Sequence, residues 1–336
     1  MYKTISEVTD AAWDDFVDHH PNGNIYQHSS MFNVYQNTQM YRPVRVALVK
    51  KETNIIVGVM MGVIIKEMSN VLSRFSSRAI VVGGPLVSSD VPSGGVNILI
   101  TAFDNEVKQA ALYTEIRNLF DTKTIMQDII GYSFVEHLNF HINLNRSEDE
   151  AWKSIHKDRR KNINRSEKYG LVVDEMKDET QMDVFYSLLK STYVNAKVPL
   201  ADRTLFEAAM KTLVPEGSAK FYLAQHDGRY VGARVILIHK KTIYDWYAGA
   251  SREDLSLYPN EFLVWHILKW GVENNYSVFD FGGAGDPKKP YGPREFKRRF
   301  GGDLVNFGRF IKIHNPFMLK IAQYGFGLYR KIAYRN

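Results

Sequence analysis

The C-terminal third of the chain contains a carboxylate and a lysine at positions that suit a ligand site. Asp280 closes an apolar run and precedes Gly282-Gly283, and Lys297 lies in a short segment that begins near Pro293. Proline suits the first turn of a helix, so Lys297 is predicted to lie on a short helix after the strand. Ligands of open α/β sheets bind beyond the carboxyl ends of the strands. A lysine ammonium there can stabilise a developing negative charge, and a carboxylate can take part in proton transfer.

Each of these residues also has a structural interpretation, which the sequence leaves open. Lys297 could be a solvated lysine on a basic helix, because it has three arginine neighbours: Arg294, Arg298 and Arg299. Asp280 could be a turn residue that accepts hydrogen bonds from backbone N–H groups. Tyr247, two residues before Gly249, could contact a substrate or pack in the core. Phe296 and Phe300, four residues apart, are expected to anchor one face of the short helix.

Histidines and cysteines do not indicate a catalytic or metal-binding set. The chain has no cysteine, which excludes thiolate nucleophiles, disulfides and cysteine-ligated metals. Four histidines have no convincing ligand spacing and are interpreted as structural: His137, His141, His239 and His266. We therefore predict neither a metal site nor a bound cofactor.

Composition indicates a globular protein of two domains. The 336 residues are 45% apolar and 24% charged, and the formal charge of +6 would favour a phosphate-bearing partner if it were clustered. The N-terminus lacks a secretory pattern. The longest apolar run, residues 55–65, is shorter than the roughly 20 residues that span a membrane. We expect a cytoplasmic protein.

The two halves of the chain repeat one order of elements. A strand, a polar turn and a second strand with a Val-Gly pair occur near Gly58 and again near Gly232, where the turn Asp227-Gly228 is a strong hairpin signal. A third strand that ends at glycine follows in each half. A helix, at about 103–119 and at 260–274, and another strand complete the pattern. Internal duplication is the simplest explanation, and chance similarity of two α/β domains is the alternative.

A helix boundary separates the two halves. Ser147 and Glu150 have the spacing of a capping box, so a helix is predicted from about residue 148 to Gly170. We assign residues 1–147 and 148–311 to two domains. The tail, 312–336, has a basic character and apolar residues at helical spacing: Phe317, Ile321, Tyr324, Leu328 and Ile332. We expect it to pack on the first domain, and contact with an anionic membrane surface is the alternative.

Three stretches of the second half resemble the FemA/FemB/FemX family of peptidoglycan bridge-forming aminoacyltransferases. They are WKSIHKDRRKNINRSEKYGLVV, WYAGASREDLSLYPNEFLVWHILKWG, and FDFGG followed by YGPREFKRRFGG. With the order of elements, the resemblance implies an α/β (α+β) fold of two tandem GNAT-like (acetyltransferase-like) domains, with mixed sheets flanked by helices. It also implies transfer of an amino acid from a transfer RNA to an amine of a peptidoglycan precursor. Residues 171–220 leave no room for FemA's long helical arm, so the chain resembles the compact FemX type.

The same resemblance suggests roles for individual residues. Lys297 matches the functionally important lysine of the family's Phe-Lys motif and would stabilise an oxyanion, while Asp280 and Tyr247 would shape the catalytic site. Five further residues would bind substrate: Arg203, Phe296, Arg159, Arg160 and Tyr291. The family's precursor-binding lysine would fall near Gln36, and its absence argues against a conventional UDP-linked muropeptide.

The nature of the donor follows from two segments. The segment KDRRKNINRSEK is either a solvated face or a surface for the phosphates of a transfer RNA or of a nucleotide- or lipid-linked cell-envelope precursor. A coenzyme A-binding loop would require glycines where this chain has SREDLSLYPNEF, with Glu253 and Asp254. Aminoacyl-tRNA is therefore the leading donor.

Two rival functions remain. One is a coenzyme A- or carrier-dependent N-acyltransferase in exopolysaccharide or capsule biosynthesis. The other is a non-catalytic module for envelope assembly or RNA binding. Both the aminoacyltransferase and the rival N-acyltransferase would act in the cytoplasm, at the inner face of the membrane if the tail binds lipid.

Overall fold

The computed structural model describes residues 1–66 and 77–321, and the chain divides into two units. Of the described residues, those within Met1–Glu136 and 307–321 form one unit, and His137–Asn306 form the other. Each unit has its own sheet and its own apolar core.

The first unit is built on a sheet of eight strands. These strands are β1 (Tyr2–Ile5), β2 (Tyr41–Lys50), β3 (Ile56–Ile65), β4 (Arg78–Val82), β5 (Leu86–Val87), β6 (Tyr113–Arg117), β7 (Ser133–Val135) and β15 (Arg309–Ile313). The helices are α1 (Asp10–His19), α2 (Ser29–Gln36), α3 (Ser93–Val107) and α4 (Lys123–Met126). A further helix begins at residue 316 and continues to 321, the last described residue.

The second unit is built on a sheet of seven strands. These are β8 (Leu138–Asn143), β9 (Val172–Met176), β10 (Ala219–His226), β11 (Arg229–His239), β12 (Thr242–Ala250), β13 (Val278–Gly285) and β14 (Asp303–Val305). The helices are α5 (Glu148–Ser154), α6 (Lys157–Lys168), α7 (Met182–Ala196), α8 (Arg203–Leu213), α9 (Pro259–Glu273) and α10 (Gly292–Arg298).

The main path of each sheet has the same connectivity. The order is β1-β2-β3-β4-β6-β15-β7 in the first sheet and β9-β10-β11-β12-β13-β8-β14 in the second. In both, the fourth and fifth strands are parallel, and every other neighbouring pair is antiparallel. A helix, α3 or α9, connects each parallel pair, because parallel neighbours need a crossover. The repeated pattern in the sequence thus corresponds to two sheets of the same topology.

The two units do not divide the chain at 147/148 and 311/312 as the sequence suggested. Residues 137–147 belong to the second unit because β8 pairs with β13 and β14. The division near the C-terminus falls at 306/307, since β15 pairs with β6 and β7 of the first sheet. Each sheet therefore receives one strand from sequence that a simple tandem arrangement assigns to the other half.

Two helix predictions need correction. The helix expected at 103–119 is α3, Ser93–Val107, and the following residues form strand β6. In β6, Thr114, Glu115 and Ile116 are buried, Tyr113 and Arg117 are partly exposed, and the strand pairs with β4 and β15. The single helix expected at 148–170 is broken between α5 and α6, where Ile155 is extended and buried and His156 caps α6.

Other local predictions are confirmed. The Ser147–Glu150 capping box is present, and Gly170 has a φ of +79° just after α6. Asp227 and Gly228, with φ of 47° and 75°, turn the chain between β10 and β11. Two consecutive left-handed residues give the two-residue turn whose twist matches that of the flanking strands.

Only the beginning of the predicted tail helix can be described. Lys312 and Ile313 are the last residues of β15 in the first sheet. Phe317 and Ile321 are 72% and 42% exposed. The remaining members of the apolar stripe, Tyr324, Leu328 and Ile332, lie outside the described residues. Among residues 1–66 and 77–321, none of the helices has the length and apolar character to span a bilayer.

Candidate active site

The pairing of β12 with β13 stops before either strand ends, and we call this unpaired stretch the gap. It distinguishes the second sheet from the first. The parallel pairing begins at Thr242 opposite Val278 and stops at Tyr244 opposite Asp280, although both strands continue. Trp246 is an extra residue in the pairing of β12 with β11, and β13 has irregular register with β8 beyond Asp280. Such bulges bend a strand and end pairing, and they are common next to active sites. The corresponding pair in the first sheet, β4 and β6, stays paired to Val82 opposite Arg117.

Lys297 points from α10 into this irregular end of β13. Its ammonium group donates hydrogen bonds to the backbone carbonyls of Phe281, Gly282 and Gly283, the last two at 3.1 Å. The nitrogen also lies 5.3 Å from the centre of the Phe281 ring. All three N–H donors therefore have protein acceptors, and the ammonium is held inside the protein rather than in bulk water.

Burial dominates the ionisation of Lys297. It lowers the pKa of this lysine to about 8, because a charge is less stable away from water. The carboxylate of Asp245 opposes this shift in pKa, the Arg234 guanidinium adds to it, and Asp280 opposes it. The group remains mainly charged at neutral pH and loses its charge in the mildly alkaline range.

Asp280 is a buried carboxylate, 3% exposed, with several hydrogen-bond donors. Its Oδ1 accepts from the Asn139 side chain at 2.7 Å and from the Gly282 N–H at 2.8 Å, and its Oδ2 lies 3.4 Å from the His141 ring. Burial raises the pKa of Asp280, but His141, Asn139 and Gly282 together outweigh burial and lower it. Asp280 thus has the turn-forming role considered for it, and it remains ionised beside Lys297. His141, interpreted from sequence as structural, contacts this carboxylate.

Tyr247 belongs to an aromatic cluster on the other side of the gap. Its ring centre lies 4.9 Å from that of Phe206, 5.2 Å from Trp246 and 5.8 Å from Tyr193. Burial raises the pKa of Tyr193, and Asp245 and then Tyr291, at the start of α10, add smaller contributions. The cluster supplies a partly buried aromatic wall that could contact a substrate.

A buried ion pair next to the gap was missed in the sequence. Arg234 and Asp245, whose side chains are 4% and 9% exposed, form two hydrogen bonds of 2.7 and 3.0 Å. Arg234 stands in the middle of an apolar strand, VGARVILI, and such a residue requires a buried partner. An arginine within an apolar strand was therefore a signal that a buried partner exists. Which residue is that partner could not be predicted, because it depends on the strand register.

The structure separates the two arginines that were grouped as substrate-binding. Arg159 turns inward, where it contacts the buried Glu261 of α9 and lies 4.6 Å from the centre of the Phe296 ring. Arg160, the next residue, lines a groove of about 430 Å³ along the outside of α6. Phe296 packs against Phe300 at 5.1 Å, which confirms that this pair anchors α10.

The groove on α6 is strongly basic. Its lining residues are Trp152, Lys157, Arg160, Lys161, Asn164, Arg165 and Lys168. Within the part of the chain that the structure describes, none of its five cationic residues forms an ion pair; Arg165 donates only to the Tyr258 hydroxyl, at 3.2 Å. Uncompensated cations around an aromatic ring are a surface that suits a polyanion.

Arg203 is occupied by acidic neighbours. At the start of α8 it pairs with Glu207 at 2.6 Å and with Asp183 on α7. These contacts raise its pKa, Asp183 being the main cause. The side chain is 41% exposed, so a ligand can reach it.

The loop before α9 lacks the glycines expected of a coenzyme A-binding loop. Residues 251–258 lack glycine, and Glu261 occupies the first turn of α9. Ser166 of α6 donates to the Tyr258 carbonyl at 3.4 Å, so α6 packs over the start of α9. Among residues 1–66 and 77–321, no group of three or more acidic or histidine side chains is arranged to hold a metal ion.

Comparison with known proteins identifies the kind of domain. Residues 153–298 match the family described as Acetyltransferase (GNAT) domain. No curated protein sequence matches the chain.

Solved structures match nearly the whole chain at low identity. A crystal structure of FemX has a TM-score of 0.71 and 16% identity, over 95% of this chain and 99% of that one. L-PGS from Bacillus licheniformis has a TM-score of 0.58 and 12% identity, over 95% and 97%. A tandem GNAT protein from the clavulanic acid biosynthesis pathway has a TM-score of 0.59 and 11% identity, over 94% and 99%.

These matches confirm the predicted fold of two tandem GNAT-like domains with mixed sheets and flanking helices. The gap, Asp280 and Lys297 all lie inside the matched segment. Residues 153–298 are therefore a GNAT-type acyltransferase domain, in a chain that has the tandem GNAT fold.

Proposed function

We propose that this protein transfers an aminoacyl group from aminoacyl-tRNA to an amine of a peptidoglycan or cell-surface glycan precursor. The observation that supports it most is the Lys297 ammonium, bound to the carbonyls of β13 where the pairing with β12 has stopped, in a GNAT-type acyltransferase domain. The resemblance to the FemA/FemB/FemX family in the same residues supports the choice of donor and acceptor.

In the proposed reaction the acceptor amine attacks the ester carbonyl carbon of the donor. A C–N bond forms, and the carbonyl oxygen becomes negatively charged in the tetrahedral intermediate. Collapse breaks the C–O bond to the ribose, whose oxygen leaves with the proton that the amine loses. A fixed positive charge near the carbonyl oxygen lowers the energy of this intermediate, provided that it requires no reorganisation.

Lys297 supplies that charge in our proposal. Because its three N–H donors already bind the carbonyls of β13, its field stabilises the oxyanion without a direct hydrogen bond. Asp280, with its lowered pKa, is a poor base, and its role is to hold the β13 turn through Gly282. Tyr247 and Tyr291 contribute to the wall of the site.

The basic groove on α6 is the proposed surface for the phosphates of the donor RNA. Its five cations, which form no ion pair with the described residues, can release counterions from a nucleic acid, and Trp152 offers an aromatic face. The same domain lacks the glycine loop that coenzyme A would require. Aminoacyl-tRNA is therefore the donor that we propose.

The acceptor is proposed to be a nucleotide- or lipid-linked precursor, with Arg203 as a phosphate ligand. A phosphate would replace Asp183, since an exposed ion pair is weak and exchanges easily. We place the reaction in the cytoplasm, with peripheral contact of the basic tail at the inner face of the membrane as an accompanying proposal.

Thermal unfolding with two donors tests this proposal. We expect alanyl- or seryl-tRNA to raise the midpoint of unfolding, because a ligand that binds only the folded state stabilises it. Deacylated tRNA controls for the RNA alone, and acetyl-CoA tests the rival donor. A rise with acetyl-CoA and none with either RNA would favour the coenzyme A-dependent N-acyltransferase.

Replacing Lys297 by Met tests the catalytic role. We expect the transfer rate to fall by up to about 100-fold, the lower end of what removal of a direct oxyanion-hole donor costs, because Lys297 acts through its field. Lys297→Arg, which keeps the charge, should retain part of the activity. Unchanged transfer in Lys297→Met would contradict the role of this lysine.

A further inference from the structure

Arg159 joins three helices of the second unit. It lies on α6, contacts the carboxylate of Glu261 on α9, and has its guanidinium carbon 4.6 Å from the centre of the Phe296 ring on α10. Asn162, further along α6, donates to the same Glu261 oxygen at 3.1 Å. One guanidinium thus connects the helix that carries the basic groove to the helix that carries Lys297.

Stability alone does not account for these charges. The side chains of Arg159 and Glu261 are only 19% and 9% exposed. A buried ion pair loses in desolvation much of what it gains in attraction, so apolar residues of similar size would often serve as well. What the pair adds is orientation, because the planar guanidinium holds a carboxylate edge-on and stacks its face on an aromatic ring.

Phe296 passes this orientation to the neighbouring Lys297. Its ring lies 5.1 Å from that of Phe300 and 6.2 Å from that of Phe281. Phe281 in turn accepts a hydrogen bond from the Lys297 ammonium through its carbonyl, and its ring lies 5.3 Å from the same nitrogen. The ring of Phe296 therefore packs between the guanidinium on one side and the residues that surround the ammonium on the other.

We propose that Arg159 and Glu261 are positioning residues that hold Phe296, and through it α10, so that the Lys297 ammonium stays in the gap between β12 and β13. This inference rests on the proposed function of Lys297. Arg160 faces the groove instead. Two adjacent arginines thus have different tasks, one in donor binding and the other in aligning the lysine.

Competitive labelling of amines tests the inference without any donor or acceptor. The intact protein is treated with trace acetic anhydride over a series of pH values, and labelling of Lys297 is followed by mass spectrometry of its peptide. Lys153, which is exposed, provides an internal reference. In Arg159→Met we expect the labelling midpoint of Lys297 to rise by about one pH unit, a tenfold change in ionisation constant.

Two further variants make the result decisive. Arg160→Met removes the same side chain one residue later, without contact to Phe296, and should leave the Lys297 curve unchanged. Phe296→Leu keeps the ion pair and removes the ring, so it should reproduce the shift and decides the matter if Arg159→Met does not fold. If Arg159→Met and Phe296→Leu are folded and their Lys297 labelling curves are the same as that of the wild-type protein, the inference is overturned. Unimpaired transfer by Lys297→Met would instead overturn the proposed function, so the two failures are distinguishable.

Discussion

Lys297 and the irregular end of β13 each satisfy a requirement of the other. A buried ammonium without acceptors would be very costly, and it would lose its proton. Where the β13 ladder becomes irregular, the carbonyls of Phe281, Gly282 and Gly283 accept its three hydrogen bonds. A cation held by backbone dipoles, rather than by a contacting carboxylate, keeps part of its field in the gap, although Asp245 and Asp280 lie near enough to offset some of it. Such a field is what an anionic intermediate needs.

The lowered pKa of Lys297 predicts an alkaline limit to activity. The transfer rate should fall as pH rises through about 8, because Lys297 loses its charge there. Between pH 8 and its usual range the unfolded chain binds the extra proton, so this group makes the folded state relatively more stable as pH rises. Loss of activity should therefore occur without unfolding. Rate profiles with a circular dichroism check measure both.

Lys297→Arg is the matched control for this limit. Arginine keeps its charge well above pH 8, so its alkaline limit should move upwards or disappear. A fall at the same pH in both proteins would assign the limit to another group.

Sequence reasoning reached some of these residues and missed others for a physical reason. Lys297 and Asp280 were proposed because each stands next to an element boundary that has local signals, Pro293 and Gly282-Gly283, and because Lys297 matches the Phe-Lys motif of the FemA/FemB/FemX family. Asn139 and His141, the partners of Asp280, belong to a strand more than a hundred residues away. Their role depends on the pairing of β8 with β13, and no local pattern specifies that pairing.

At the scale of elements, the turn at Gly282 shapes the site. Gly282 has a φ of +72°, and a Cβ there would lie 3.3 Å from the Asp245 carbonyl oxygen and 3.7 Å from the Lys297 nitrogen. Gly282→Ala should lower the free energy of unfolding by about 1–2 kcal/mol from backbone strain. It should also reduce transfer, because the added methyl group lies beside the ammonium. Denaturant unfolding and transfer assays measure the two effects.

Gly228→Ala provides a control with matched strain. Gly228 has a φ of +75° in the β10–β11 hairpin, and a Cβ there would meet nothing within 4 Å. A similar loss of stability with normal transfer is expected. Equal losses of transfer in both variants would mean that stability, and not the site, limits activity.

The groove on α6 allows a prediction about RNA binding. Lys161→Gln removes one cation that lines the groove, whereas Lys153→Gln removes one on α5 that pairs with Asp149 outside it. The first change should weaken binding of tRNA and reduce the salt dependence of log K by about 1, as for one lost phosphate contact. The second should have little effect. Titrations with tRNA at several salt concentrations would measure both variants. Equal losses of affinity in Lys161→Gln and Lys153→Gln would argue against the groove as the RNA surface.

Elements were predictable where their signals are short-range. The Asp227-Gly228 hairpin, the capping box and α9 depend on a few neighbouring residues, and the structure has all three. The helix expected at 103–119 was misplaced because Tyr113, Glu115 and Arg117 look polar in a helical projection but form one face of β6. The two charged side chains on this strand face are stabilised because Glu115 binds both Arg117 and Arg309, a residue of β15.

At the scale of the whole molecule, the sequence order of the strands differs from their order in the sheets. β8 precedes the other strands of the second sheet, and β15 follows all of them but enters the first. The repeated order of four strands and a helix was readable from the matched glycines. The sheet that β8 or β15 joins could not be predicted, since a short apolar strand fits either sheet until its neighbours are known.

This arrangement predicts how the protein responds to truncation. In a chain that ends at residue 306, the first sheet lacks β15, which lies between β6 and β7 and contributes the buried Phe310 and the Lys312–Asp104 pair. Unpaired strand edges exchange amide protons readily and are poorly stable. Hydrogen exchange should therefore show lost protection in β6 and β7 but retained protection in β10–β12. A chain that ends at residue 321 keeps β15 and should keep amide protection in both sheets. Full protection of β6 in the 306-residue chain would show that the first unit does not depend on its late strand.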